Sequence, residues 1–276
     1  MKRTSLAGVM AALAQAASAA GFECLIEPMQ VVEVRAPVDG VVAAVHVQRG
    51  DVVRRGQPLL ELQSASERLA VESAKYRSQM EGSIAAARNR VAYATKKLAR
   101  LADLAQQNYA SAQLRDEADA ELRLAESELQ AVVENRELAK IEHRRAVEQL
   151  ALRTMASPFA GVVLDRMLNP GDLAESGSGR KPALKVAQID PLRVDVVLPA
   201  ALFGQVKPGQ KALVVSQVGG GRYDAQVRMV DKVIDAGSGT FVARLELPNP
   251  QQKVPGGARC QAEIEGIGVP AARPKP

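Results

Sequence analysis

The feature that most restricts this chain is a short repeat interrupted by a long insertion. Ala36-Pro37-Val38-Asp39-Gly40-Val41-Val42, followed by Gly50-Asp51-Val52-Val53, returns as Ser157-Pro158-Phe159-Ala160-Gly161-Val162-Val163, followed by Gly171-Asp172-Leu173. Pro37 and Pro158, Gly40 and Gly161, Gly50 and Gly171, and Asp51 and Asp172 all keep one separation, the mark of an internal repeat. Each copy reads as short strands around turns. Proline sets φ on entry, Gly40 and Gly161 allow a tight bend, and the Gly-Asp pairs suit turns with positive φ. The alternation of Val41, Ala43, Val45 and Val47 gives one apolar face. One copy is too small to bury that face alone. The two, residues 33–63 and 154–189, are therefore expected to pack together as a small β-sandwich.

The insertion, residues 64–153, has a different grammar. From Ser66 it is rich in Ala, Glu, Arg, Leu, Lys and Gln and holds no proline before Pro158, a composition of strong helix formers. Ile84, Ala87, Val91, Ala94, Leu98, Leu101 and Ala105 alternate three- and four-residue steps, and a second such seam runs through Ala118, Leu122, Ala125, Leu129 and Val132. This is coiled-coil spacing. The pattern breaks near Gln107 to Ala112, where Ser111 is placed to cap a second helix. Two antiparallel helices of about 42 residues, a rod of roughly 60 Å, are expected. Arg88, Arg90, Lys96 and Lys97 with Glu121, Glu126, Glu128 and Glu134 read as its solvated face.

From Asp190 the pattern turns to short strands, Leu192–Leu198, Ala212–Ser216, Ala225–Val230, Phe241–Leu247 and Gln261–Ile264, divided by Pro-Gly and Gly-Gly punctuation. A small β-barrel over 190–267 is expected, with a Pro/Ala tail at 268–276.

Composition narrows the function. Four Tyr, four Phe and no Trp in 276 residues leave few rings for a thick core or an enzyme pocket, or for stacking on nucleic-acid bases. Two His and two Cys exclude a zinc ribbon or multi-histidine metal centre. His46 and His143 have no nucleophile partner, no Gly-x-Ser-x-Gly elbow occurs, and Gly177-Ser178-Gly179-Arg180-Lys181 lacks phosphate-loop spacing. The expectation is a non-enzyme without metal or cofactor. Lys2 and Arg3, the apolar run Leu6 to Leu13 and Ala17-Ser18-Ala19 read as a signal peptide over 1–19. Without Lys2 and Arg3, 34 basic residues face 31 acidic ones, a net +3. That is too little for a nucleic-acid partner. No later stretch approaches the roughly 18 unbroken apolar residues of a membrane span. An exported chain is expected, with no transmembrane segment once the leader is removed.

The paired halves resemble the biotinyl/lipoyl carrier fold, but no Met-Lys-Met or comparable lysine turn joins them, which disfavours a carrier role. The helical insertion stands in the place of that turn. A split lipoyl domain carrying a helical hairpin resembles the periplasmic adaptor (membrane fusion protein, HlyD-type) family of tripartite efflux systems. That family's tip signature is Arg, three residues, Leu, six residues, Ser. Arg100, Leu104 and Ser111 reproduce it at the turn between the helices. The resemblance implies that Arg100 donates to a TolC-type outer-membrane channel, that Leu104 fills a groove on it, and that Ser111 shapes the turn; read bottom-up, Leu104 is core and Ser111 only a cap.

The Gly-Thr, Asn-Pro and Pro-Gly turns of residues 237–257 also resemble the family's barrel, to which residues 20–32 would add a first strand. The fold class expected is thus mixed α and β, elongated and modular. It comprises a β-barrel plus a split lipoyl/biotinyl-like sandwich with an inserted coiled-coil hairpin. In that topology Cys24 and Cys260 lie on neighbouring strands. An exported chain with two cysteines favours a disulfide over two buried thiols. The partners implied are an inner-membrane transporter, the outer-membrane channel and further copies in a hexameric ring. The location implied is the periplasm, at the inner-membrane surface. A further membrane-proximal domain, which many members of that family carry, and an N-terminal anchor, which several carry, are not expected here. The alternative is an exported coiled-coil scaffold without a transport role.

Overall fold

The computed structural model describes residues 21–177 and 179–268. The expected signal peptide, the tail from 269 and Ser178 lie outside the described residues. Chain order is β1 (Phe22–Val34), β2 (Gly40–Val45), β3 (Val52–Val53), β4 (Pro58–Leu62), α1 (Ala65–Gln79), α2 (Gly82–Gln106), α3 (Ala112–Ala151), β5 (Thr154–Ala156), β6 (Gly161–Arg166), β7 (Leu173–Ala174), β8 (Leu184–Pro199), β9 (Lys211–Ser216), β10 (Arg222–Val230), β11 (Thr240–Leu247) and β12 (Ala258–Ile264).

Hydrogen bonding realises the repeat atom by atom. Gly50 N–H donates to the Val163 carbonyl at 2.8 Å, and its equivalent Gly171 donates to Val42 at 2.9 Å. In return, Val163 N–H donates to Asp51 at 3.0 Å and Val42 N–H to Asp172 at 2.9 Å. Gly50 and Gly171 have φ of 94° and 93°, a backbone that glycine adopts without strain. The Asp51 carboxylate accepts from Gln48 N–H at 2.7 Å, the Asp172 carboxylate from Asn169 N–H at 2.8 Å. Strand pairing follows the same exchange: β3 pairs with β6 and β7 with β2. Each half therefore satisfies the other's backbone, and neither closes alone.

One sequence expectation is corrected here. Val41 and Ala43 do not form the inward face; Val42 is the buried residue and Ala43 is exposed. A bulge between Val42 and Ala44 moves the alternation by one residue, so that Val47 returns to the core. The second half carries the same irregularity between Val163 and Asp165.

β1 and β8 run through both modules. Cys24–Pro28 pairs with Leu192–Val196 in the barrel, and Gln30–Val34 pairs with Leu184–Gln188 in the sandwich, with a register shift between. The expected borders at 32/33 and 189/190 thus fall inside continuous strands. The barrel closes as β1-β12-β9-β10-β11-β8 and back to β1. Alternate β8 residues Leu192, Val194, Val196 and Leu198 fill it, together with Ile26, Phe241 and Leu245. Val42, Val53, Leu59, Leu60, Leu62, Val163 and Leu184 form the separate sandwich core. Cys24 and Cys260 are directly opposed on β1 and β12 and joined as a disulfide with Cα atoms 4.9 Å apart.

The hairpin is also corrected. Its returning arm, α3, is one helix of 40 residues, about 60 Å long. Its outgoing arm is two helices of 15 and 25 residues rather than one of about 42. The physical reason is helical phase. Glu67, Val71, Ala74 and Ser78 are the less exposed stripe of α1, and the same spacing next requires an inward residue at Glu81 or Gly82. The next apolar residue is Ile84, which a continuous helix would carry about 120° away from that stripe. Met80 leaves the helical region with ψ of 125° and lets α2 restart in phase. Arg136 of α3 covers the break, donating to Glu81 at 2.9 Å and to the Ser78 carbonyl at 3.5 Å. The seam of α3 runs on past Val132 through Arg136, Ala139, His143, Ala146 and Leu150, all buried or half-buried.

Candidate functional site

The root of the hairpin sits where a carrier fold would have its turn. β4 and β5 pair side by side, and Leu62 N–H donates to the Arg153 carbonyl at 2.8 Å. The Arg153 guanidinium reaches the Glu67 carboxylate at 2.5 Å and the Asp39 carbonyl at 2.9 Å, tying the first turn of α1 and the first sandwich half to the end of α3. Glu67's own N–H, the Ser66 hydroxyl and Arg153 hold the Glu67 carboxyl below its ordinary range. Gly40 and Gly161, expected to allow tight bends, instead open strands β2 and β6 without positive φ, and each is small because of what lies over it. A Cβ on Gly161 would lie 2.1 Å from the Ala187 carbonyl oxygen, while one on Gly40 would meet the Arg153 guanidinium at 2.8 Å.

At the far end, α2 and α3 are joined by a compact turn. Gln107 is the last cap of α2, and Asn108 follows with φ of 60°. Tyr109 N–H donates to the Leu104 carbonyl at 2.8 Å and Asn108 N–H to Ala105 at 3.1 Å, the two bonds of a Schellman ending. Ser111 Oγ then accepts from Leu114 N–H at 3.3 Å and caps α3. The seven-residue step from Leu104 to Ser111 thus has a geometric content: one residue receives the closing bond of α2, the other starts α3.

Arg100 and Leu104 lie one helical turn apart and both are exposed, Leu104 by 37%. Among the described residues Arg100 has no carboxylate at ion-pair distance. Ser111 stands across the turn with its hydroxyl committed to the cap. Leu104 is therefore neither seam nor core, whereas Leu101 and Ala105 are half-buried. Two residues were missed from the sequence, Tyr109 at 80% and Leu114 at 48% exposure. Both are large apolar residues off the heptad seam, which is the signal that could have found them. The turn itself was marked by Asn108, since asparagine tolerates positive φ.

Below the tip, some charges read as a solvated face bridge the two helices. Arg90 pairs with Glu128, and Lys97 with Glu121 at 2.6 Å, all with well-exposed side chains. Such pairs set helix register more than stability. Near the sandwich, His46 follows β2, with Nε2 3.1 Å from a Glu61 carboxylate oxygen; His143 is half-buried in the α3 seam.

No helix among the described residues is long and apolar enough to cross a membrane.

Comparison with known proteins places this geometry. The family described as "CzcB-like, barrel-sandwich hybrid domain" matches residues 30–179. The chain is 27% identical over 236 residues to "Multidrug resistance protein MdtE" of Escherichia coli (strain K12), covering 81% of this chain and 58% of MdtE. It is 23% identical over 207 residues to "Pyoverdine export membrane fusion protein PvdR" of Pseudomonas aeruginosa, covering 74% of this chain and 53% of PvdR. The chain therefore spans little more than half the length of these relatives. In fold it resembles MacA from Actinobacillus actinomycetemcomitans, with a TM-score of 0.73 at 24% identity, over 88% of this chain and 77% of MacA. With the match running through the first sandwich half, the whole hairpin and most of the second half, the chain belongs to the family described as CzcB-like, barrel-sandwich hybrid domain.

Proposed function

We propose that this chain is a periplasmic adaptor that bridges an inner-membrane transporter and a TolC-type outer-membrane channel in an efflux or secretion system. It lies in the periplasm at the inner-membrane surface and works as a ring of copies, hexameric by analogy with the family. Energy coupling and any catalysis belong to the transporter.

The observation that carries the reading is the tip. A rod of about 60 Å ends in a turn rigidified by a Schellman ending and a serine cap. Just before it, one exposed side presents Arg100 and Leu104. Arg100 supplies a forked, permanently charged donor that suits backbone carbonyls and carboxylates. Leu104, with Tyr109 and Leu114 beside the turn, supplies apolar surface that excludes water around those bonds.

The test is in-cell crosslinking of the tagged chain followed by mass spectrometry, alongside a transport assay of Arg100→Asp with Ser111→Arg. The expected result is recovery of a transporter and a channel, with transport lost in the variant while circular dichroism and oligomer size stay unchanged. Wild-type transport by the variant would refute the tip assignment. Crosslinks only to further copies of the chain would leave an exported coiled-coil scaffold as the better account.

A further inference from the structure

The barrel ends away from the sandwich in two connections. β8 passes into residues 200–210, and β10 passes into β11 through residues 231–239. The start of β1 and the end of β12 share this end, because neighbouring strands around the barrel are antiparallel. The two connections are tied together. Ala200 N–H donates to the Gly239 carbonyl at 2.9 Å, while Asp235 and Gly239 N–H donate to the Thr240 and Asp235 carbonyls, both at 2.8 Å. The Asp235 carboxylate accepts from Gly237 N–H at 2.8 Å, so its charge is held inside the turn. Phe203 stands edge-on to Phe241, with ring centroids 5.4 Å apart.

Three apolar side chains are exposed on this platform. Val233 is 79% exposed, Phe203 44% and Ile234 38%, and none of them belongs to the barrel core. Formal charge is balanced, since Lys207, Lys211 and Lys232 are matched in number by Asp231, Asp235 and Glu265. An apolar apex that projects from a turn and carries no net charge suits a fluid apolar layer that closes around it. The lysines beside it extend their ammonium groups back to water. The expected signal peptide, with its apolar run Leu6 to Leu13, precedes β1 at this same end, so export brings the chain to the membrane by this end.

We infer that the β10–β11 turn, with Phe203 beside it, is a lipid-docking surface. Val233 and Ile234 enter the boundary between headgroups and acyl chains, and Phe203 lies at headgroup level. One copy binds weakly and reversibly; several copies on one membrane multiply the effect. The inference rests on the adaptor reading only for which bilayer is met, the periplasmic face of the inner membrane.

The test uses the exported chain with its disulfide intact. Its only two cysteines form that bond, so an environment-sensitive fluorophore on Val233→Cys reports alone. The chain is mixed with excess vesicles of phosphatidylcholine alone, or of phosphatidylethanolamine with phosphatidylglycerol. A blue shift and quenching by nitroxide-labelled lipid are expected with both, and at high salt, because the surface has no net charge to screen. The same label on Val218→Cys, 55% exposed in the β9–β10 turn at the other end of the barrel, is expected to stay unchanged. Val233→Asp with Ile234→Asp is expected to lower the ratio of bound to free chain about tenfold, with Tm unaltered. Absence of quenching at position 233, equal quenching at 218, loss of binding at high salt, or full binding by the double variant would each overturn the inference. So would a transporter crosslinked through Val233→Cys without lipid quenching, which would assign the turn to a protein partner. Vesicle binding without transporter and channel crosslinks in cells would sink the adaptor reading and keep this one; the reverse pair of results would do the opposite.

Discussion

Removing the Cys24–Cys260 bond is expected to destabilise the barrel far more than any single packing change. The bond joins opposed residues on the first and last barrel strands, both buried, across a sequence separation of 236. In the unfolded chain a closed loop of that length is worth about 5.5 kcal/mol of lost conformational freedom. The architecture raises a second case, because the sandwich grips β1 near Val34 and β8 near Leu184. If the barrel melts while the sandwich holds, the loop shortens to roughly 80 residues, yet the value falls only to about 4.5 kcal/mol because the dependence is logarithmic. The two routes bracket about 4.5–5.5 kcal/mol, which for a chain of this size is a fall in Tm of about 10–20 °C. The assay is scanning calorimetry of the wild type, of the wild type under reductant, and of Cys24→Ala with Cys260→Ala. Far-UV circular dichroism follows the hairpin in parallel. A double variant melting within about 1 °C of the unreduced wild type would refute the reasoning. So would intact-mass data showing two alkylatable thiols before reduction.

Other substitutions separate local from long-range demands. Gly161→Ala is expected to cost about 3 kcal/mol, because its Cβ meets a backbone carbonyl that cannot move without β8. Gly40→Ala, meeting the Arg153 guanidinium at 2.8 Å and the Leu62 side chain at 3.3 Å, is expected to cost about 1–2 kcal/mol, because side chains can shift where the Ala187 carbonyl cannot; equal losses in denaturant titrations would contradict this. Ser111→Ala removes the α3 cap and is expected to weaken the hairpin by about 1 kcal/mol, read as faster hydrogen exchange at Leu114 and its neighbours. The Glu67 carboxyl, lowered by its own N–H, Ser66 and Arg153, contributes stability above its unfolded value that is lost as pH falls through its folded value. Glu67→Gln is expected to flatten the acid limb of the stability curve; an unchanged acid limb would count against the root clamp.

Much of this architecture was legible because its signals are local. The repeat announced two equivalent halves, and the 3-4 spacing announced a hairpin and its turn. Arg100, Leu104 and Ser111 were picked out before any fold was known, and the turn geometry gives their spacing a meaning. The broken outgoing arm was legible in principle, since the step from Ser78 to Ile84 fits no continuous helical stripe. It was overlooked because the seam was read from Ile84 onward.

Other features depend on contacts between distant segments. The bulge after Val42 turns an apparent inward face outward, because pairing with β4 and β7, not the run of valines, sets its phase. Gly161 is obligatory only because β8, later in the same half, passes over it, and the residues adjoining Gly161 give no hint of that. The continuity of β1 and β8 from barrel into sandwich likewise follows from a pairing over more than a hundred residues. Residue type and spacing determined the elements and the repeat, because propensity and turn chemistry act within a few residues. Tertiary structure alone decided the phase of β2 and which glycines were crowded, because those depend on chain segments far apart in sequence meeting in space.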